Sequence, residues 1–201
     1  VQHRASFRLQ NYKGKHCSFD RGLFLPLFPQ HDQQNDNRND DRDDEDQRTI
    51  FYSALYHTHY CPNLFQDVDG RYLGMDLKIH QGDVNDPYYT NFSLWDTFRA
   101  ANPLMSIIEP QLNEAYIRSL IVKGEEGGIV PKWDCGSNYT GCMIGYHFNS
   151  VVADSYAKGY RNYDIDKAYK HMIRSAEYDT TGITEACPKW LVPYVMPEAR
   201  Y

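Results

Sequence analysis

FYSALYHTHYCPNLFQDVDGRY, residues 51–72, and FSLWDTFR, residues 92–99, are the stretches from which the rest of the chain is read. Together they hold nine aromatic rings, ending in Phe92, Trp95 and Phe98, with three aspartates (Asp67, Asp69, Asp96) and two arginines (Arg71, Arg99). Aromatic faces stack on the C–H faces of sugars, while fixed carboxylates and guanidinium groups exchange hydrogen bonds with vicinal hydroxyls. The mixture reads as half of a carbohydrate pocket or, on spacing alone, as a buried aromatic cluster skirted by surface charge.

Within these blocks three constellations carry chemistry. Asp67-Val-Asp69-Gly-Arg71 sits in a loop, where Gly70 permits a turn and both carboxylates can point one way. Paired acids are what glycoside hydrolysis needs, but acids two residues apart rarely flank a sugar from opposite sides. This pair is suited to binding, or to a plain turn. Trp95 and Arg99 stand at i,i+4 on one expected helical face, with Asp96 three residues before Arg99 and able to orient its guanidinium. The same residues also fit a helix salt bridge over a core tryptophan. His57-Thr-His59-Tyr-Cys61 offers three zinc ligands, yet on a helix His57 and His59 diverge by about 200° and do not share a tetrahedral ion. Phosphate loops, nucleophile elbows and metalloprotease helices have no match.

Around them, 201 residues of which 41% are hydrophobic can bury a core, and the length fits one domain. A net charge of −6 with no basic face argues against nucleic acid or an anionic membrane as partner. No run approaches the ~18 apolar residues of a bilayer span. The sequence starts at Val1 without the basic and apolar regions of a signal peptide, so localisation is not readable there. Five cysteines are an odd number; Cys135 and Cys142 flank a turn and either pair or remain free core thiols. Sequons at Asn91 and Asn138, and above all seventeen tyrosines, fit a secreted, sugar-handling protein.

Residues 22–29 form a short apolar run broken by prolines, and residues 31–48 contain no apolar side chain. That tract is expected to be a solvated or disordered linker, and its acids lack the register of a calcium loop. Helices are expected over 49–60, from an N-cap at Ser93 through Ala101, over 104–122 with Pro110 starting a second segment and Gly124 ending it, over 146–158 with Gly159 as its stop, and after an N-cap at Asp164. Residues 69–80 read as a hairpin with Leu73, Met75, Leu77 and Ile79 alternating. Residues 178–201 are turn-rich. Short helices in consecutive pairs joined by long loops, with a β-hairpin insert, predict a mainly α fold and a partial (α/α)6 toroid. Its domains are an atypical segment over 1–45 and a helical domain over 46–201.

The blocks FYSALYHTHYCPNLFQDVDGRYLGMD, YYTNFSLWDTFRAANPLMSIIEP, GGIVPKW, NYTGCMIGYH, VVADSYAKGYRNYDIDKAY and EYDTTGI occur in this order over about residues 46–201. They closely resemble the glycoside hydrolase family 92 α-mannosidases. The resemblance implies a β-sandwich followed by an (α/α)6 catalytic domain and calcium-dependent, inverting, exo-acting hydrolysis of terminal α-mannosides such as those on N-glycans. It also implies a secreted or extracytoplasmic setting. By this likeness Asp69 and Arg99 hold the terminal mannose, with Asp67, Trp95 and Asp96 as neighbours. The family's Gly-Asn-Asp-Asp-type motif has no counterpart here, so the catalytic carboxylates and main calcium ligands are expected downstream of Tyr201. The expectation is a fragment, weakly active or inactive alone, with no metal ligand of its own. The alternatives are a non-catalytic mannose-binding or interaction module of the same fold and, less strongly, a zinc protein using His57, His59 and Cys61.

Overall fold

The computed structural model describes Leu9–Gln10, His16–Cys17 and residues 40–177. The apolar run at 22–29, the polar tract up to residue 39 and the turn-rich end from 178 lie outside the described residues. The chain divides into two compact units, Val1–Tyr56 and His57–Tyr201. In the first, β1 (Leu9–Gln10) pairs antiparallel with β2 (His16–Cys17). Helix α1 follows, spanning Asp40–Thr58. It begins nine residues before the expected start at Thr49. The acids that exclude a core do not exclude a helix, because carboxylates near an N-terminus complement the helix dipole. Arg48 also reaches back one turn to Asp44 at 2.7 Å, and the Thr49 hydroxyl donates to the Glu45 carbonyl.

The second unit is mainly helical with small two-stranded antiparallel sheets. Its elements are β3 (Asn63–Leu64), β4 (Arg71–Leu73), β5 (Ile79–Gln81), β6 (Tyr89–Thr90), α2 (Leu94–Thr97), α3 (Ala101–Ile108), α4 (Pro110–Gly127), β7 (Asp134–Cys135), β8 (Asn138–Tyr139), α5 (His147–Ala157) and α6 (Ile165–Ala176). Strand β3 pairs with β6, and the expected hairpin forms with Arg71 opposite Gln81, Tyr72 opposite His80 and Leu73 opposite Ile79.

Helix α4 is the axis of the core. Ile117 and Leu120 are fully buried, among Phe92, Leu94, Met105, Phe148, Val151, Val152 and Ala168 from the surrounding elements. Each of the larger of these side chains contributes about 1.5–3 kcal/mol by leaving water. Pro110 starts α4 as the sequence indicates, since its missing N–H falls where no intrahelical acceptor exists. The helix runs past Gly124 and stops at Gly128, whose φ of 82° gives the left-handed cap. Gly124 instead faces the His171 ring, where a Cβ would come within 2.8 Å of it.

Helix α2 is also shorter than expected. It ends at Thr97, and Pro103 falls inside the first turn of α3, where a proline is tolerated, rather than resetting the chain. The hairpin alternation does not mark a buried face: Met75 is buried, while Leu73, Leu77 and Ile79 are exposed. On α6, Asp164 caps the helix by accepting the Lys167 N–H at 2.9 Å, but Ile165, Tyr169 and Ile173 are exposed and the buried face is Ala168, His171 and Ser175. Cys61, Cys135 and Cys142 are free and exposed, so these three are neither paired nor core thiols.

Candidate functional site

The loop entering β4 is a tight, self-bonded turn. The Asp67 N–H donates to the Arg71 carbonyl at 2.8 Å, and the Gly70 N–H donates back to the Asp67 carbonyl at 2.9 Å. Gly70 has a φ of 88°, and a Cβ there would stand 2.7 Å from the Gly82 carbonyl oxygen, so only glycine fits. The Asp69 carboxylate accepts from the Arg71 N–H at 3.1 Å and from Arg71 Nε at 2.7 Å. These two contacts, the backbone one first, hold its carboxyl below the ordinary value. The ion pair is open to solvent, with the Asp69 and Arg71 side chains 48% and 60% exposed. It presents a fixed carboxylate and a guanidinium side by side, the chemistry that grips adjacent hydroxyls. Asp67 Oδ1 accepts the neighbouring Val68 N–H.

The second group lies around α2. The Arg99 guanidinium carbon sits 4.8 Å from the Trp95 ring centroid and 5.1 Å from that of Phe98. Asp96 does not orient Arg99. Its carboxylate takes the Ser93 hydroxyl instead, because α2 ends before a further turn could bring the two together. Sequence reading missed His147, whose ring stacks on Phe98 at 4.1 Å and meets Trp95 edge-on at 5.1 Å. Burial, then the nearby Arg99 charge, lowers the His147 pKa, and its Nε2 is buried with no hydrogen-bond partner. Only its place in the block NYTGCMIGYH pointed to it.

Among the described residues no hydrogen bond or ion pair joins Asp67 or Asp69 directly to Trp95, Asp96 or Arg99. A buried polar network links the segments that carry them. Glu126, near the end of α4, accepts the Tyr72 hydroxyl at 2.8 Å, the Met75 N–H at 3.0 Å and the Tyr88 hydroxyl at 3.1 Å. The Tyr72 and Tyr88 rings stack with centroids 4.0 Å apart. Burial and the Glu126 charge raise both phenols above their ordinary value, which keeps them protonated donors. One turn earlier, Lys123 donates to the Tyr88 hydroxyl at 3.1 Å and pairs with Asp134 at 3.0 Å, both charged side chains being 0% exposed. Burial lowers the Lys123 pKa, and the Asp134 charge opposes that shift. Asp134 also accepts the Phe92 N–H at 2.8 Å and the Asn91 N–H at 3.3 Å, in the stretch that leads into α2. Residues 54 positions apart meet here, which no local pattern announces.

The metal readings find no donor set. His59 Nδ1 lies 3.2 Å from the Thr58 hydroxyl, the His57 ring packs against Tyr60, and Cys61 donates to Asn63. Among the described residues no three His, Cys, Asp or Glu side chains gather to hold an ion.

Compared with known proteins, residues 38–195 match the family model of the glycosyl hydrolase family 92 catalytic domain. Among solved structures, the chain is similar to a family GH92 α-mannosidase from Bacteroides thetaiotaomicron, with 34% identity over 67% of this chain and 18% of that one, at a TM-score of 0.63. The same protein in complex with mannoimidazole aligns at 35% identity over 66% of this chain and 18% of that one, with a TM-score of 0.62. A family GH92 inverting mannosidase from Bacteroides thetaiotaomicron VPI-5482 aligns at 33% identity over 68% of this chain and 19% of that one, with a TM-score of 0.61. The chain thus spans less than a fifth of the length of these proteins. No curated protein matches it.

Proposed function

Because this chain belongs to glycosyl hydrolase family 92, we propose that the protein it forms hydrolyses terminal α-mannosides and that the described residues supply part of its sugar-binding wall. The observation that carries the reading is identity of about a third to two proteins described as mannosidases, one of them solved with a mannose-like inhibitor. The site geometry is consistent with it. Asp69 with Arg71 and Trp95 with Arg99 are half-buried or exposed, and both pairs combine charge or an aromatic face with accessible hydrogen-bonding groups.

In this proposal Asp69 and Arg99 hold the terminal mannose, while Asp67, Trp95 and Asp96 shape its surroundings. The relative described as inverting supports direct attack by an activated water. That reaction needs an acid and a base about 6.5–9.5 Å apart on opposite faces of the sugar. Asp67 and Asp69, two residues apart in one turn, are assigned to binding, and the catalytic carboxylates to the remainder of the enzyme. Calcium dependence is part of the proposal only through that remainder. In support, Asp76 is engaged by His80 at 2.8 Å and Asp86 by Arg118 at 2.7 Å, so the proposal assigns the calcium ligands to that remainder. Helices α3 to α6 would be the first two pairs of an (α/α)6 toroid. Asp69→Ala and Arg99→Ala in the whole enzyme are expected to lower kcat/KM on an aryl α-mannoside at least tenfold, with melting temperature unchanged. Full activity in both variants would overturn the assignment.

A further inference from the structure

The β4–β5 hairpin carries little of the apolar burial that usually holds a hairpin in place. Of its four alternating apolar residues only Met75 is buried, and a two-stranded ribbon is marginal on its own. Yet it continues directly from the loop that bears Asp69. Met75 packs against Gly127 of α4 and the Ser137 hydroxyl donates to the Leu73 carbonyl at 2.6 Å, while the hairpin's polar contacts with α4 centre on one side chain: Glu126 receives the Tyr72 hydroxyl from β4 and the Met75 N–H from the turn between the strands. A third bond, from Tyr88, ties the same carboxylate to Lys123 and so to Asp134. The His80 ring stacks on Tyr72 at 5.5 Å from the opposite strand, so the clamp grips both strands.

From the clamp to the loop the connection is short and fully bonded. Tyr72 follows Arg71, whose side chain and N–H hold the Asp69 carboxylate. Gln81, paired with Arg71 across the hairpin, donates its Nε2 to the Asp69 carbonyl at 2.7 Å. The Gly82 N–H donates to the Gly70 carbonyl at 2.8 Å. Asp69 is therefore fixed relative to the hairpin, and the hairpin is tied to α4 by the packing of Met75 on Gly127 and by hydrogen bonds to a carboxylate that touches no part of the loop.

We propose that Glu126 is a positioning residue for sugar binding, its carboxylate clamping the β4–β5 hairpin to α4 so that Asp69 is presented at a set place in the pocket. The inference rests on the sugar-holding reading of Asp69. Glutamine at position 126 keeps size but offers one carbonyl oxygen to three donors, leaving at least one of Tyr72, Met75 and Tyr88 badly served. Phenylalanine at position 72 removes a single hydroxyl and keeps the ring stack.

The test is methyl α-mannoside affinity by calorimetry, and KM and kcat on an aryl α-mannoside, for E126Q, Y72F, D69A and the double variant D69A/E126Q of the whole enzyme. Uniform loss of binding raises KM and leaves kcat in place. E126Q is expected to raise Kd and KM about tenfold, the factor carried by about 1.4 kcal/mol, with kcat within about twofold and faster hydrogen exchange at the Met75 amide. Y72F, which keeps the packing, is expected to act in the same direction more weakly. In the D69A background E126Q is expected to add nothing, because its effect runs through Asp69. If D69A weakens binding but E126Q and Y72F do not, or if the E126Q loss is the same without Asp69, the positioning role is wrong. If D69A itself leaves binding intact, the sugar-holding reading fails, and the clamp then loses its functional meaning. Should E126Q fail to fold, Y72F in both backgrounds decides between these outcomes.

Discussion

Two ion pairs in this protein have nearly the same geometry and opposite consequences. Lys123 and Asp134 meet at 3.0 Å with no exposure, and Asp69 and Arg71 meet at 2.7 Å with about half of each side chain in water. The buried pair is surrounded by bonds to Tyr88, Phe92, Asn91 and Thr90, so losing either charge strands the other in a medium that cannot solvate it. The exposed pair is backed by solvent and by its own turn, so its charges are available to a ligand at little cost to the fold. The length of an ion pair therefore says less about its role than its burial does. Here burial separates charges that hold the fold together from charges left open to solvent.

The sharpest way to break the comparison is to remove one buried charge. Asp134→Ala is expected to cost about 3–5 kcal/mol by urea denaturation, the loss typical of an orphaned buried ion. A loss below about 1 kcal/mol would put this pair in the surface class. Next in size, Gly124→Ala drives a methyl to 2.8 Å from His171 and from Val130 across the α4–α6 contact. Overpacking of this kind costs about 1–3 kcal/mol, and an unchanged denaturation midpoint would show that α6 yields freely.

The His171 imidazole sharpens the contrast through pH. Burial lowers its pKa from 6.5, Lys170, Lys167 and Arg174 reinforce the shift, and Glu125 opposes it. The folded state therefore prefers the neutral ring: stability is complete above the ordinary value of 6.5 and declines as pH falls below it toward the folded value. Denaturation midpoints measured across that window are expected to fall toward acid, and His171→Gln to remove part of the slope. A slope unaltered by the substitution would place the titration elsewhere. The smallest stability effect is expected at the exposed pair. Arg71→Ala should leave the melting curve in place while weakening methyl α-mannoside binding, and a large drop in melting temperature would erase the distinction between the two pairs.

Much of the helical unit was legible beforehand. Pro110 at a helix start, Asp164 as a side-chain cap and Gly159 after α5 are local signals, and each acts as its chemistry dictates. The errors fell where a tertiary contact, or a different local bond, overruled the expected local one. Gly124 resembles a helix stop but makes room for His171, and Asp96 is placed to serve Arg99 but bonds Ser93 because α2 is a single turn. The acidic run from Asp40 looked unfoldable because it has no apolar face, although helix formation by charged residues near an N-terminus does not require one.

What the sequence by itself determined is the chemistry on offer: aromatic rings, paired acids and arginines in two blocks, helices with readable ends, and the family likeness those blocks carry. Their arrangement was decided by tertiary structure alone. Lys123 and Glu126 fall at and beyond the helix end that Gly124 suggests, and Tyr72, Tyr88 and Asp134 lie in separate segments. Only packing against α4 brings them within hydrogen-bond distance and removes their water. Periodicity reports which face of a helix is apolar; it carries no information about which distant polar group will meet that face once the chain has folded.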